Sequence, residues 1–445
     1  MVNKILVDKN GNPIKINGIF TEPTQKQLKN AVLSLITEGK IDIGDLGGNK
    51  KSTIVLTDNG FKTNAQTSLA LLTSELANHD FNSIPLWVIT DTHGMLPADD
   101  VYDIGEYINS ISPNGLMALF LGDICDTVYN ETVLKNHRYH VEAFTKSITV
   151  MGNHDRYNTE GTLTRSMVNQ WFITNDLERF DDTLYGCYND TDFNIRYLIL
   201  NPYEIIPMSD ASVANERVKI GTKQMTWLIK NLTECNKDIV ILMHQLFNDL
   251  HIHRDGTKQT WGDATTSLLN TWNMLKDRKN KRSGTILDGD GISHNYDFSK
   301  CESDLLCCLH GHTHEELYLQ DEGLLAYAFD YGHYKNCAFV SINRAEKKLK
   351  VSQFNPTNVK DTLELLLSGK NSIVNNLTNV TSSNMATTGV DTNSSYTTTL
   401  TATTGTLGTI TVKMNGTDIS STAVSGNTIT INNVVGRVEI TASAS

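Results

Sequence analysis

The chain has 445 residues, 39% of them hydrophobic, and a formal net charge of −12 from 50 acidic against 38 basic residues. No run approaches the roughly 18 apolar residues of a membrane-spanning helix, and the acidic balance disfavours long nucleic acid, whose partners carry a basic stripe. Seven cysteines, odd in number and irregular in spacing, exclude a disulfide framework and fit folding in a reducing compartment.

Length alone argues for two or three folding units. The first, residues 1–83, opens with no apolar stretch of signal-peptide length, so cytoplasmic folding is expected. A hairpin is predicted from Lys4–Val7 and Ile14–Ile19 around Asn10-Gly11-Asn12-Pro13, followed by helices over Gln25–Thr37 and Ala65–Ala77. Asp8-Lys9-Asn10-Gly11-Asn12 reads as a plain turn, because the later ligands and closing Glu of a calcium loop are missing. An attachment or assembly role is expected of this region.

The second region, residues 84–355, alternates strand-like and helix-like stretches. Short apolar runs at Leu86–Thr90, Leu116–Leu121, Ile148–Met151, Ile239–Met243 and Leu305–Leu309 read as buried strands. Ala98–Asn109, Glu131–Lys146 and Thr222–Thr233 read as helices, the last with Met225, Leu228, Ile229 and Leu232 on one face. Further strands are expected at Leu324–Phe329, Ala338–Ile342 and Leu349–Phe354. Cys307-Cys308 reads as a pair of buried thiols. The basic run Lys276–Arg282 reads as a solvated loop or helix end.

Composition changes after Asn355. Residues 356–405 read as a linker, because Asn371–Gly405 is rich in Ser, Thr and Asn and offers little apolar surface. Residues 406–445 resume alternation at Thr409–Met414, Thr428–Ile431 and Arg437–Thr441, around Asn415-Gly416 and Gly426-Asn427 turns. A small β module is expected there, near the lower size limit for independent folding.

Chemistry-bearing residues follow the five strand-like runs. They are Asp91-Thr92-His93, Gly122-Asp123-Ile124-Cys125-Asp126, Gly152-Asn153-His154-Asp155, His244 and Gly311-His312-Thr313-His314. Open α/β sheets gather ligand sites at the carboxyl ends of their strands. Asp, His and Asn in this number suit two divalent ions, with Mn, Fe and Zn all tolerated. Asp91 and His93 alternate and can reach one ion together. Asp123 is a carboxylate able to bridge two, and Asn153 offers a neutral oxygen ligand. His154-Asp155 reads as an imidazole with a carboxylate nearby, suited to proton donation. His310 is expected to pack or cap. His251, His253, Arg138 and Arg156 read as solvated residues rather than substrate contacts.

This ordered series resembles the calcineurin-like metallophosphoesterases, over about 270 residues. Gln224-Met225-x-Trp227-Leu228 also looks like the helix that precedes the His244 strand in that family. The resemblance implies an α/β fold with a two-sheet sandwich flanked by helices and the metals at one edge. It implies Asp91, His93 and His314 on the first ion, Asn153, His244 and His312 on the second, and Asp123 between them. His154 would protonate the leaving oxygen, with Asp126 and Asp155 orienting ligands. Gln245 and Leu246 depart from the His or Pro common after the His244 position.

The expectation is therefore a metal-dependent hydrolase of phosphoesters, diesters favoured, acting on a cell-surface phosphodiester polymer. A nuclease or cyclic-nucleotide phosphodiesterase is the alternative within that class. The rival class is a structural or adhesion protein that carries this fold without using it. The C-terminal module motivates it, since it resembles small immunoglobulin-like appendages of phage tails and bacterial surface proteins. Placement on a virion or outside the cell, after assembly or lysis, and oligomer formation belong to that expectation.

Overall fold

The computed structural model describes residues 83–94, 116–125, 131–156, 184–203, 218–254 and 257–445, the last with short interruptions, and residues 63, 64, 67, 68, 178 and 179. The expected N-terminal hairpin, the Gln25–Thr37 helix and the Ala98–Asn109 helix lie outside the described residues. Gly60–Ser445 forms one compact unit. Within it, the helical Ser68 donates its hydroxyl to Ser352 Oγ at 2.7 Å, and Asn64 Nδ2 donates to the Asn355 carbonyl at 2.8 Å.

Strands β1 (Ser83–Ile89), β2 (Met117–Phe120) and β3 (Lys146–Thr149) are parallel neighbours. Helix α1 (Glu131–Glu142) lies against them, with His137 edge-on to Phe120 at 4.9 Å. The predicted helix ran on to Lys146, but Lys146 already belongs to β3. Phe144 turns back to stack on Trp87 at 4.8 Å, and this aromatic contact ends the helix early.

The chain then builds a second sheet. Its members are β4 (Glu178–Arg179), β5 (Gly186–Asp190), β6 (Ile195–Ile199), β7 (Asp238–Leu242), β8 (Leu250–His253) and β9 (Lys258–Thr260). After a separate hairpin of β10 (Ser283–Leu287) and β11 (Ser293–Asp297), β12 (Leu305–His310), β13 (Leu317–Asp321) and β14 (Leu324–Ala328) complete it. The spatial order is β4-β5-β6-β7-β12-β14-β13-β8-β9, with β6, β7, β12 and β14 parallel. Strand β15 (Cys337–Asn343) then returns to the first sheet, antiparallel to β1, and pairs with β16 (Lys348–Asn355). The free edge of β16 takes β17 (Asn358–Val359) at one end and β18 (Leu363–Leu366) at the other.

The apolar core explains why the strand-like runs are continuous rather than alternating. Leu86, Val88, Leu119 and Ile148 of the first sheet meet Tyr197, Val240, Leu242 and Leu309 of the second. On the outer face of the second sheet, Ile239, Ile241, Met243 and Cys308 pack on Met225 and Leu228 of α2 (Thr222–Glu234) and Leu268 and Trp272 of α3 (Thr266–Lys279). A strand covered on both faces needs apolar residues at every position. Cys307 points inward and Cys308 outward, both buried, and burial pushes the Cys307 thiol up to about 12. The fold is the two-sheet α/β sandwich with flanking helices that the sequence predicts.

The basic run is half as expected. It caps α3, placing cations at the negative end of the helix dipole, and Asn280, Lys281 and Arg282 are exposed as expected, but the part of the run on the helix is not. Arg278 is fully buried and donates to the Leu232 and Ser303 carbonyls, at 2.8 and 3.0 Å. Lys276 and Lys279 pair with Asp321 and Asp304. No helix among the described residues is long and apolar enough to cross a membrane.

The stretch read as linker contains strands. Besides β17 and β18, it holds β19 (Ile373–Thr378), β20 (Val380–Ser382) and β21 (Tyr396–Ala402). They join β22 (Thr411–Met414), β23 (Thr417–Asp418), β24 (Val424–Ser425), β25 (Thr428–Ile431) and β26 (Val438–Ser443) in two four-stranded sheets. Threonine is β-branched and suits an exposed strand face, so the Thr-rich composition marks solvent-facing positions rather than loose chain. Ile373, Tyr396, Leu400, Val412, Ile429 and Ile440 supply one buried core. The module thus spans about residues 371–445, larger than the 40 residues expected.

The edge strands β17 and β18 move the end of the α/β sandwich past Asn355. Leu363, Leu365 and Leu367 belong to its inner core, and each buried leucine contributes about 1.5–3 kcal/mol. A chain ending at Lys370 is expected to melt like the parent sandwich, whereas one ending at Asn355 should melt many degrees lower. Equal melting temperatures would show that β18 adds nothing to the core.

Candidate metal centre

Parallel β1, β2 and β3 of one sheet and β7 and β12 of the other end at the same edge, and each delivers one of the five segments. The loops are laced together by backbone bonds. Asp91 N donates to Gly122 O at 2.9 Å, His93 N to Asp123 O at 3.0 Å and Gly311 N to His244 O at 3.2 Å.

Backbone geometry then turns the side chains inward. Asp91, His93, Asp123, His312 and His314 all have left-handed φ, between 44° and 77°. Such a conformation costs an L-residue roughly 1–2 kcal/mol, and its clustering points to a functional constraint. Gly122 has φ 98°, and a Cβ there would lie 2.6 Å from His244 Nδ1. Gly152 is required by proximity instead, since its Cβ would meet Asp123 Oδ1 at 2.1 Å.

Two overlapping groups result. Asp91, His93, Asp123 and His314 offer ligand atoms all within 4.8 Å of one another, as do Asp123, His244 and His312. Asp123 belongs to both. Its Oδ2 lies 3.2 Å from His244 Nε2 and 3.9 Å from both His93 Nε2 and His154 Nε2, while its Oδ1 accepts the His154 amide at 2.8 Å. Asn153 Oδ1 is 2.9 Å from His312 Nδ1, which puts it beside the second group. All seven expected ligands are therefore brought together.

Outer partners hold these side chains. Asp91 Oδ2 accepts the Thr90 hydroxyl at 2.7 Å and the His312 amide at 2.9 Å. His244 Nδ1 donates to Leu121 O at 2.7 Å, which leaves Nε2 as the ligand atom. Asp91 Oδ1 and His244 Nε2 are buried and form no well-directed hydrogen bond, although His314 Nε2 and Asp123 Oδ2 face them at 3.2 Å. Buried polar atoms rarely stay so. Together with the Asp/His/Asn donor set, these two orphans fit a pair of divalent cations.

Electrostatics carry the same signal. Burial opposes charge on His244, but Asp123 and Asp91 outweigh it and raise its pKa to about 9. Burial likewise works against ionised Asp123, yet His244 and His154 hold its carboxyl well below the usual range. Burial lowers His93. A proton on His244 thus balances carboxylate charge that a metal cation would otherwise balance.

The other candidates fall into different places. His154 stands at the rim, with 25% side-chain exposure and its ring edge-on to His93 at 4.7 Å. Asp155 is buried and does not serve the His154 ring: its two oxygens accept the amides of Cys125 and Gly152, at 2.9 and 2.8 Å, tying the β2 and β3 loops together. Burial, then Asp123, raises its pKa. Asp126 and the Arg156 side chain lie outside the described residues. Gln245 is buried, its Oε1 accepting the Tyr203 hydroxyl at 2.8 Å, so it supports the β7 loop from behind. His310 is buried, Nδ1 2.9 Å from Gln245 O, as a packing residue should be. His251, read as solvated, is instead buried on β8, and burial lowers it to about 4. His253 pairs with Gln259 and Glu315. Arg138 pairs with Glu142 one turn along α1, at 3.1 Å. Sequence reasoning missed Thr90, whose hydroxyl bonds the carboxylate of the adjacent Asp91.

The family model for calcineurin-like phosphoesterases matches residues 84–316, and the chain belongs to that family. Its clustered carboxylate and imidazole groups form a candidate site for metal ions. No curated protein matches it. Among solved structures it is similar to a 5'-nucleotidase of Staphylococcus aureus (11% identity, 64% of this chain and 54% of that one, TM-score 0.36). It is also similar to a phosphopantetheinyl hydrolase of Mycobacterium tuberculosis (14% identity, 57% and 91%, TM-score 0.31). The chain spans about half the length of the first of these.

An ion bound through His244 Nε2 would have to displace the proton there. Affinity for the ion on that side should rise about tenfold per pH unit from pH 7 toward the His244 pKa of about 9. Chelator competition across that range, with calorimetry in buffers of different ionisation enthalpy, should register one proton released. A flat profile would show that His244 binds no ion.

Proposed function

We propose that the chain hydrolyses phosphodiesters with two divalent ions, Asp91, His93 and His314 holding one, Asn153, His244 and His312 the other, and Asp123 both. The observation that carries this reading is the position of Asp123 Oδ2, 3.2 Å from His244 Nε2 and 3.9 Å from His93 Nε2, in both ligand groups at once. When bound, such an ion pair supplies charge stabilisation for the phosphoryl group and a nucleophile from water near neutral pH. His154 supplies the proton. Its Nε2 faces the shared carboxylate from the solvent side, 3.9 Å away, where a leaving oxygen would need protonation. A diester is favoured because its leaving alkoxide needs that proton. Asp155 keeps His154 in place through the loop backbone rather than by touching its ring.

In this reading the chain divides into an N-terminal attachment region, the catalytic sandwich and the C-terminal β sandwich. The last supports a surface or virion-borne enzyme acting on a phosphodiester polymer. It has its own core, and none of the clustered ligands among the described residues falls within it. A purely structural role is the weaker reading, since it leaves the complete ligand set without use.

Asp123→Asn is expected to reduce metal content and remove nearly all turnover of an aryl phosphodiester. Two tightly held ions and parental turnover in that variant would refute the shared-ligand assignment. His154→Ala should keep both ions and slow esters with poor leaving groups about 10²–10⁴-fold. Esters with acidic leaving groups should be much less affected. Equal loss on both would show that His154 is no proton donor.

A further inference from the structure

The segment following His314 carries a buried carboxylate that the proposed chemistry does not use. Glu316 is 5% exposed, and its oxygens accept the Tyr327 hydroxyl at 2.5 Å and both Arg254 Nη1 and Lys360 Nζ at 3.3 Å. Lys360 also reaches Asp330 Oδ2 at 2.9 Å and Gln353 Oε1 at 3.0 Å. Arg254 follows β8, Tyr327 lies in β14, Asp330 follows β14, Gln353 lies in β16 and Lys360 follows β17. One carboxylate therefore joins strand ends of both sheets at the metal edge.

The network is asymmetric with respect to the two ligand groups. His314 has 40% side-chain exposure and φ 56°, so packing holds it less firmly than the fully buried His244. Glu316 anchors the chain two residues after it. Asp330 stands two residues before Gly332, whose amide donates to Thr90 O at 2.8 Å, immediately before Asp91. The network thus braces the strand ends that present His314 and Asp91. His312 lies on the same segment, but it is held directly, its amide by Asp91 Oδ2 and its Nδ1 beside Asn153 Oδ1, both at 2.9 Å. Removing Glu316 would leave Arg254, Lys360 and the Tyr327 hydroxyl facing one another without their shared acceptor, a costly arrangement in a buried place.

Resting on the two-ion reading above, we infer that Glu316 is a positioning residue for the first ion: it fixes the His314 loop and the Asp91 strand end, and the second ion does not depend on it. The test is equilibrium dialysis of the full chain against Mn²⁺ alone, with the spectrum of the bound Mn²⁺ recorded. The parent should bind two ions with a coupled signal. Glu316→Ala should bind one as the parent does and the other about 10- to 100-fold more weakly, and the coupled signal should vanish at one equivalent. Glu316→Gln keeps an acceptor for Tyr327 and should fall between. If Glu316→Ala does not fold, Glu316→Gln and Tyr327→Phe carry the test through a smaller weakening of the same ion. Equal weakening of both ions, or no weakening in any variant, overturns the inference. A parent chain that binds fewer than two ions overturns the two-ion reading itself, without recourse to any variant.

Discussion

Asp91 and Asp123 are carboxylates with almost no access to water, and their charge is the constraint around which the α/β sandwich is arranged. An isolated buried carboxylate costs several kcal/mol unless paired and hydrogen-bonded. Each receives some of what it needs from the protein: Thr90 and the His312 amide bond Asp91, and the His154 amide bonds Asp123. The remainder is met by imidazoles that are themselves buried. His244 Nε2 faces Asp123 Oδ2 and His314 Nε2 faces Asp91 Oδ1, each at 3.2 Å.

The surrounding architecture makes that concentration of charge possible. Left-handed turns at five of the clustered residues bring their side chains to one point, and the strands behind them are locked by apolar residues on both faces. Rigidity of the sandwich offsets the backbone strain, in keeping with the usual placement of such strain at functional sites. Small residues at Gly122 and Gly152 let the β2 and β3 loops approach more closely than any side chain would permit.

Much of this was legible because the ligands are local in sequence. Each lies within a few residues of an apolar run, so the strand and the chemistry could be read together. What escaped was non-local or compositional. Asp155 beside His154 looks like a partner in sequence, yet the 3-10 turn at His154–Arg156 sends its carboxylate back to Gly152 and Cys125. His251 looks like a loop residue because its run is short, but β8 gains its order from pairing with β13, which no local pattern reveals. Residues 371–405 resemble a linker in composition because Thr and Ser count as polar, although a strand with one solvated face tolerates them. Glu316 gave no signal at all, since its three partners, Arg254, Tyr327 and Lys360, come from three other parts of the chain.

The β19–β26 pairing has a mechanical consequence. The first and last strands of the C-terminal sandwich run parallel through six rungs, from Ile373 opposite Val438 to Thr378 opposite Ser443. The chain therefore enters and leaves at opposite ends, and tension between those ends pulls the two strands lengthwise past each other. Evenly spaced parallel rungs then share the load together instead of opening one after another. A sandwich connected in this way transmits force along its axis before it yields, whereas a hairpin-like pairing of the same strands would unzip.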